Sequence, residues 1–307
     1  MISIAMTTYN GEKYLKEQIN SILNQVYKDF ELIICDDCSN DSTWEILTEY
    51  EQLDKRIKIY RNDQNLGFLK NFEKVISLCT GDYIATSDQD DIWEECHLQI
   101  LYDTIKNGVA AAGEALLIDS DGKSLNRYMT KDVSGYEIDV DSERKLLHLL
   151  FCSNPFSGAV CLFKKSVFDN AFPIPDGVDY QDTWFTACAL CMGEFNYVPE
   201  IVTKHRLHGN NTSGNQNTRF WDRVKRTLTK EFTTDRIVFC EELPKRFTML
   251  TIEKQKVLIF AENFLKTRLK KKKFTAIKII IKNYKTMYAS TSRTNALLRC
   301  IQILVRN

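Results

Sequence analysis

The stretch Tyr83-Ile-Ala-Thr-Ser-Asp-Gln-Asp-Asp91 joins an apolar run to a polar segment with three carboxylates. Tyr83–Thr86 reads as a short buried strand, and the acidic residues follow it. Upstream, Phe68–Leu78 has helical spacing and Ile57–Tyr60 is an apolar strand. Ser42 with Glu45 spells a capping box, which predicts a helix start. Phe30–Cys35 and Ile2–Met6 are two more apolar strands, and Leu15, Ile19, Ile22, Leu23 and Val26 between them recur at helical spacing. This alternation predicts an α/β fold: a mostly parallel, Rossmann-like sheet with helices on both faces. Such sheets bind ligands at the carboxyl ends of their strands. There stand Thr7-Thr-Tyr-Asn-Gly11, Asp36–Asp37, Asn65–Gly67 and Asp88–Asp91. Any one of them would pass for a turn or a helix cap. Four in succession predict one pocket.

With 307 residues, the chain is long enough for a substantial core. Its 44% hydrophobic and 27% charged residues are ordinary for a globular protein. No apolar run approaches the ~18 residues of a membrane helix. The N-terminus shows neither a basic n-region nor a cleavage site, so the expected location is cytoplasmic. Ten cysteines in such a chain read as buried small hydrophobes. Cys35 with Cys38, and Cys188 with Cys191, admit a zinc site, but neither pair sits in a Gly-rich knuckle. Strands are expected near Ala110–Ile118 and Gly158–Phe163, and helices dominate after about residue 215. The zero net charge hides an asymmetry: residues 263–307 hold twelve Lys or Arg and no Asp or Glu.

On an extended segment, alternate residues face the same way. Asp88 and Asp90 would then face one Mg²⁺ or Mn²⁺ ion, which prefers oxygen ligands and leaves room for substrate phosphates. Such an ion neutralises a departing diphosphate. The competing reading is an acidic helix N-terminus.

Taken together, Ile2-Ser-Ile-Ala-Met-Thr-Thr-Tyr-Asn-Gly11, Phe30-Glu-Leu-Ile-Ile-Cys-Asp-Asp-Cys-Ser39, Asn65-Leu-Gly67 and Gly81–Trp93 resemble the family 2 glycosyltransferases. The resemblance runs over roughly residues 1–210. It implies a GT-A fold and an inverting, metal-dependent transfer from a nucleoside diphosphate sugar. It also implies a layout: a catalytic domain over 1–215, divided into a nucleotide-binding half 1–108 and an acceptor half 109–215, then a basic helical region 216–307. Thr7, Tyr9, Asp36 and Asp37 would hold base and ribose, and Asn65, Gly67 and Lys70 would line the donor cleft. Asp90 would contact the metal, and Asp88 would hold ribose or the metal shell.

Inversion by direct displacement needs a carboxylate to deprotonate the acceptor hydroxyl. The matching segment is Asp179-Tyr-Gln-Asp-Thr-Trp-Phe185, with Asp182 the expected base, Asp179 the fallback, and an N-cap the structural alternative. His205-Arg-Leu-His-Gly209 resembles a segment of relatives that build bacterial surface polysaccharides, rhamnosyltransferases among them. Arg206 and His208, two apart, would face the same side, to bind the diphosphate or complete the metal shell. His97 and His148 read as plain core or surface residues. Asn154-Pro-Phe-Ser-Gly158 is expected to frame the acceptor side. Gln216–Trp221 nearly spells the QxxRW signature of processive synthases and is read as coincidence. The expected donor is dTDP-rhamnose or a UDP-hexose, and the acceptor a glycan or a polyprenyl-diphosphate-linked saccharide. The basic tail suits an anionic membrane surface better than nucleic acid, with a solvated helix packed on the catalytic domain as the plain alternative. Two other classes compete. A sugar-nucleotide-forming nucleotidyltransferase expects a Gly-rich loop where Thr7-Thr-Tyr-Asn10 stands. A non-catalytic sugar-nucleotide-binding or scaffold protein has no need of the acidic triplet and Asp182.

Overall fold

The computed structural model describes residues 1–130, 141–151, 154, 156–209, 235–269 and 273–287. Gln216–Trp221 and much of the basic tail lie outside these residues. The first half is a parallel sheet of β1 (Ile2–Thr8), β2 (Phe30–Asp36), β3 (Ile57–Arg61) and β4 (Tyr83–Ser87). Three helices connect them: α1 (Leu15–Leu23), α2 (Thr43–Leu53) and α3 (Phe68–Ser77). β1 and β2 are buried along nearly their whole length, which is why they read as unbroken apolar runs. Each ladder continues into polar residues, so Thr8 pairs with Asp36. The capping box is not formed. The Ser42 side chain makes no cap, and the Asp41 carboxylate accepts the Thr43 amide at 3.0 Å instead. The Ser42 amide donates to Glu12 at 2.9 Å.

The strand order begins β3-β2-β1-β4. The chain winds outward from β1 to β3, then returns to place β4 on the other side of β1. The cleft of such a sheet opens at this reversal. Beyond β4 the sheet becomes mixed. β5 (Ile92–Trp93) and α4 (His97–Ile105) follow the acidic segment, then β6 (Ala110–Ile118), β7 (Ser124–Tyr128) and α5 (Ser142–Phe151). Gly158–Val160 is a 3₁₀ turn, and the strand expected there starts later, as β8 (Cys161–Lys164). α6 (Ser166–Ala171), α7 (Gln181–Met192) and the long β9 (Phe195–Arg206) complete this half. β8 runs antiparallel to β4 and β6, β9 parallel to β6, and β5 antiparallel to β9.

Among the described residues, three more helices follow: α8 (Asp235–Arg246), α9 (Ile252–Leu269) and α10 (Lys273–Met287). Phe239 of α8 packs edge-on to Trp184 of α7 at 5.2 Å, and Phe264 of α9 on Phe151 of α5 at 5.3 Å. These contacts continue the core that lies under the sheet. Cys35, Cys188 and Cys191 are buried in it as free thiols.

Candidate active site

The loop after β1 is held from both sides. On one side Gln89 clasps it: the Tyr9 amide donates to the Gln89 carbonyl oxygen at 2.9 Å, and the Gln89 amide donates to the Tyr9 carbonyl at 3.0 Å. On the other side, the Asn10 amide donates to Ser39 Oγ at 2.9 Å, and the Asp37 amide donates to the Thr8 carbonyl at 2.8 Å. The segments leaving β1, β2 and β4 thus meet in one place. A Cβ on Gly11 would lie 2.2 Å from the end of the Gln89 side chain and would push that clasp aside.

Asp36 is fully buried and accepts from Thr8 Oγ1 at 3.1 Å and the Ser39 amide at 3.0 Å; Arg61 Nε lies 3.5 Å away. The Asp37 carboxylate accepts the amides of Leu66 and Gly67, at 2.8 and 2.9 Å, and the Asn62 side chain at 2.7 Å. Asp37 therefore ties the loop after β3 to the loop after β2. Asn65 accepts the Gly67 amide at 3.0 Å, and Gly67 takes a φ of +79° that favours glycine. Lys70 pairs with Glu73 at 2.7 Å. Lys70, Gly67 and Phe68 line one wall of a cleft of about 230 Å³, and residues 174–178 line the other.

The acidic segment is a bend rather than an extended strand, so the alternation argument for Asp88 and Asp90 does not apply. Each carboxylate is placed by its own partners instead. Ile92 pairs with Lys204 in the β5–β9 ladder, and continuing this register sets Asp91 opposite His205 and Asp90 near Arg206. His205 Nδ1 lies 2.9 Å from Asp91 Oδ1, with both residues buried. His208 Nε2 lies 2.7 Å from Asp90 Oδ2. Arg206 is 2% exposed and is a strut of this loop. It donates from its amide to Asp91 at 3.0 Å, from Nε to the Asp90 carbonyl at 2.9 Å, and from a terminal nitrogen to Glu17 of α1 at 2.6 Å. Arg206 and His208 both meet the Tyr14 ring, at 4.6 and 5.0 Å.

The charge balance at Asp88 is unfavourable. Burial, then the neighbouring carboxylates of Asp91 and Asp90, push its pKa up to about 8. For His205, burial opposes the charged form, but Asp91, Asp90 and Asp88 outweigh it and raise the pKa to about 9. Asp182 opens α7 and interacts electrostatically with Asp88. Burial raises its pKa as well, although Thr183, the Gly158 backbone and Arg236 pull the other way. Gly158 fixes the distance to β4. Its carbonyl accepts the Thr86 hydroxyl at 2.8 Å, and a Cβ on it would stand 3.1 Å from that hydroxyl and 3.6 Å from the Asp182 Cβ.

Among the described residues, no three His, Cys, Asp or Glu side chains converge as a ready-made metal centre. The donors present nonetheless fit a divalent ion shared with a substrate: Asp90 with His208, beside an Asp88 whose negative charge lacks compensation. His97 belongs to the core, stacked on Trp93 at 3.8 Å and bonded to the Val202 carbonyl, with burial holding its pKa down at about 3. His148 is buried on α5.

Sequence reasoning left Gln89, Tyr14, Glu17 and the Asp91–His205 pair without roles. The signal for Asp91 and His205 was available in their adjacency to residues already singled out. Nothing local marks Gln89, whose partner lies 80 residues away.

The chain matches the family described as glycosyl transferase family 2 over residues 3–172. An uncharacterized glycosyltransferase of Haemophilus influenzae is 31% identical over 231 residues, covering 69% of this chain and 67% of the relative. The O-antigen biosynthesis glycosyltransferase WbnJ of Escherichia coli is 28% identical, covering 69% of this chain and 82% of its own length. Among solved structures, S. aureus TarS 1-349 in complex with UDP-GlcNAc superposes with a TM-score of 0.59 at 17% identity, covering 99% of this chain and 90% of that one. At that identity the likeness speaks for a GT-A fold. On the family match and the Haemophilus relative, the chain belongs to glycosyl transferase family 2, and so among the glycosyltransferases.

Proposed function

We propose that the chain moves one sugar from a nucleoside diphosphate sugar to a hydroxyl of a glycan or lipid-linked acceptor, with inversion at the anomeric carbon. The supporting observation is the meeting of the loops after β1, β2 and β4, with Asp182 beside the last of them. In this reading Thr7, Tyr9 and Asp36 border the base and ribose. Asp37 shapes that pocket by anchoring Asn65–Gly67, and Lys70 stands at its rim. Asp182 accepts the proton of the acceptor hydroxyl as its oxygen attacks the anomeric carbon and the nucleoside diphosphate leaves. Burial raises its pKa above the usual carboxylate range, which makes it a stronger base. Asp90, Asp88 and His208 would hold a Mg²⁺ or Mn²⁺ ion, which supplies counter-charge to the departing diphosphate. Arg206 and His205 hold the acidic loop in place for that purpose.

The names of relatives support a substrate class. Matching proteins are named for teichuronic acid and O-antigen biosynthesis and as a chondroitin synthase. Solved neighbours hold UDP-GlcNAc, UDP, or GDP-Man with Mn²⁺. A bacterial surface polysaccharide is the product class we infer, with a UDP- or dTDP-sugar as donor. The test is thermal melting with UDP-GlcNAc, UDP-glucose, GDP-mannose and dTDP-rhamnose, with and without Mn²⁺. A ligand at a hundredfold its Kd stabilises by about 2.7 kcal/mol. One nucleotide sugar should raise the melting temperature, more so with the metal. No shift with any of them sinks the reading.

A further inference from the structure

We propose that the outer face of α10 docks on an anionic lipid surface. Phe274 and Ile281 are 77% and 65% exposed. They stand seven residues apart and so lie nearly in line along a helix, with Lys278 between them and Lys282 beside them. Both lysines are exposed. The opposite face carries Ala276 and Ile280, at 0% and 1% exposure, where α10 packs against α5 and α9. The helix is therefore fixed to the protein by one side and presents large apolar side chains with cations on the other. The face ends at Asn283, where the backbone leaves helical geometry at φ −119°.

Charge selects the occupant. No Asp or Glu occurs from residue 263 to the C-terminus, and Lys270–Lys273 run directly into the helix. α9 also exposes Ile252 and Ile259, but the exposed charges beside them are mixed, Glu253 with Lys256, whereas those on the outer face of α10 are lysines alone. A helix with apolar residues to insert and lysines to meet headgroups suits an interface rich in acidic lipid. This deepens the reading of a lipid-linked acceptor without depending on it, because vesicle binding needs no donor or acceptor.

The test is cosedimentation of the full chain with vesicles of phosphatidylcholine alone, or with about 30% phosphatidylglycerol, at about 0.1 M and about 0.5 M salt. Binding should be at least about tenfold stronger on the acidic vesicles and should fall at the higher salt, since each basic residue near the surface contributes about fivefold. Lys278→Glu with Lys282→Glu should reverse that gain. Phe274→Ser with Ile281→Ser should weaken binding to the same vesicles while leaving the melting temperature unchanged, because all four positions are exposed. If either pair fails to fold, the single Phe274→Ser and Lys278→Glu chains take its place. Indifference of the wild type to phosphatidylglycerol overturns the proposal. So does equal binding by the folded variants, or displacement of the chain from vesicles by RNA.

Discussion

Raising the pH of the ligand-free chain from 6.5 to 8 should cost it stability, and the cause is the crowded acidic loop. In the folded chain Asp88 has a pKa of about 8, against 3.8 for an unperturbed Asp. The unfolded chain has already released that proton above pH ~4. His205 keeps its proton to about pH 9 when folded, while an unperturbed His loses it near 6.5. In both cases the folded state binds the extra proton, so stability falls as pH rises. His205 contributes fully below pH 6.5, and its contribution is lost on the way to 9. Below 6.5 the buried His97 opposes the trend, because its folded pKa of about 3 makes the unfolded state the better proton binder. Above 6.5 His97 is neutral in both states and the trend stands clear. One proton is worth about 1.4 kcal/mol per pH unit, so two protons over this window set a ceiling of about 4 kcal/mol. Asp88 and His205 answer to the same carboxylates and share part of one effect, so about 2 kcal/mol is the expected loss. Urea melts followed by tryptophan fluorescence at half-unit steps would read it directly. Asp88→Asn should remove the Asp88 share of the slope and leave that of His205, whose pKa is raised, against burial, mainly by Asp91, and a bound metal–nucleotide complex should flatten it. Stability that stays level or rises between pH 6.5 and 8 would refute the charge balance drawn for this loop.

Two further outcomes follow from the geometry. Asp182→Asn should lower transfer by about 10²-fold or more while the melting shift with donor persists. The same change should raise the melting temperature of the free chain, because burial disfavours the carboxylate it removes. Normal transfer by that variant would move the base elsewhere, Asp179 first. Arg206→Met should cost about 2 kcal/mol in urea melts, since it strands the Asp90 carbonyl and unpairs Glu17, while the backbone amide of residue 206 keeps its bond to Asp91. A loss below about 1 kcal/mol would mean that Arg206 is free to serve a ligand instead.

The strands that build the pocket were readable because both faces of β1 and β2 are covered, which turns each into a plain apolar run. Their ends were less readable. The ladder continues one or two residues into polar positions, where Thr8 meets Asp36, and composition alone does not carry a strand through such residues. The pairing of β5 with β9 was invisible for a different reason. β5 has two residues, too few to show any period, yet its register brings His205 and Arg206 to the acidic loop. This pairing also decides what the site's cations are for. From sequence, an Arg and two His beside a DxD all look like ligands for a diphosphate. In the fold, the Arg206 guanidinium is spent on the Asp90 carbonyl and on Glu17, His205 on Asp91, and His208 on Asp90. Glu17 lies 189 residues away from Arg206, beyond any local pattern. With those side chains committed, the surroundings of Asp88 penalise its charged form and keep its proton on up to a pKa of about 8. On the proposed reading, a metal held by Asp90, Asp88 and His208 would supply the positive charge that this loop lacks. That lack also explains why the loop is braced by three basic side chains instead of one: several carboxylates held together before substrate arrives repel each other, and the fold must restrain them.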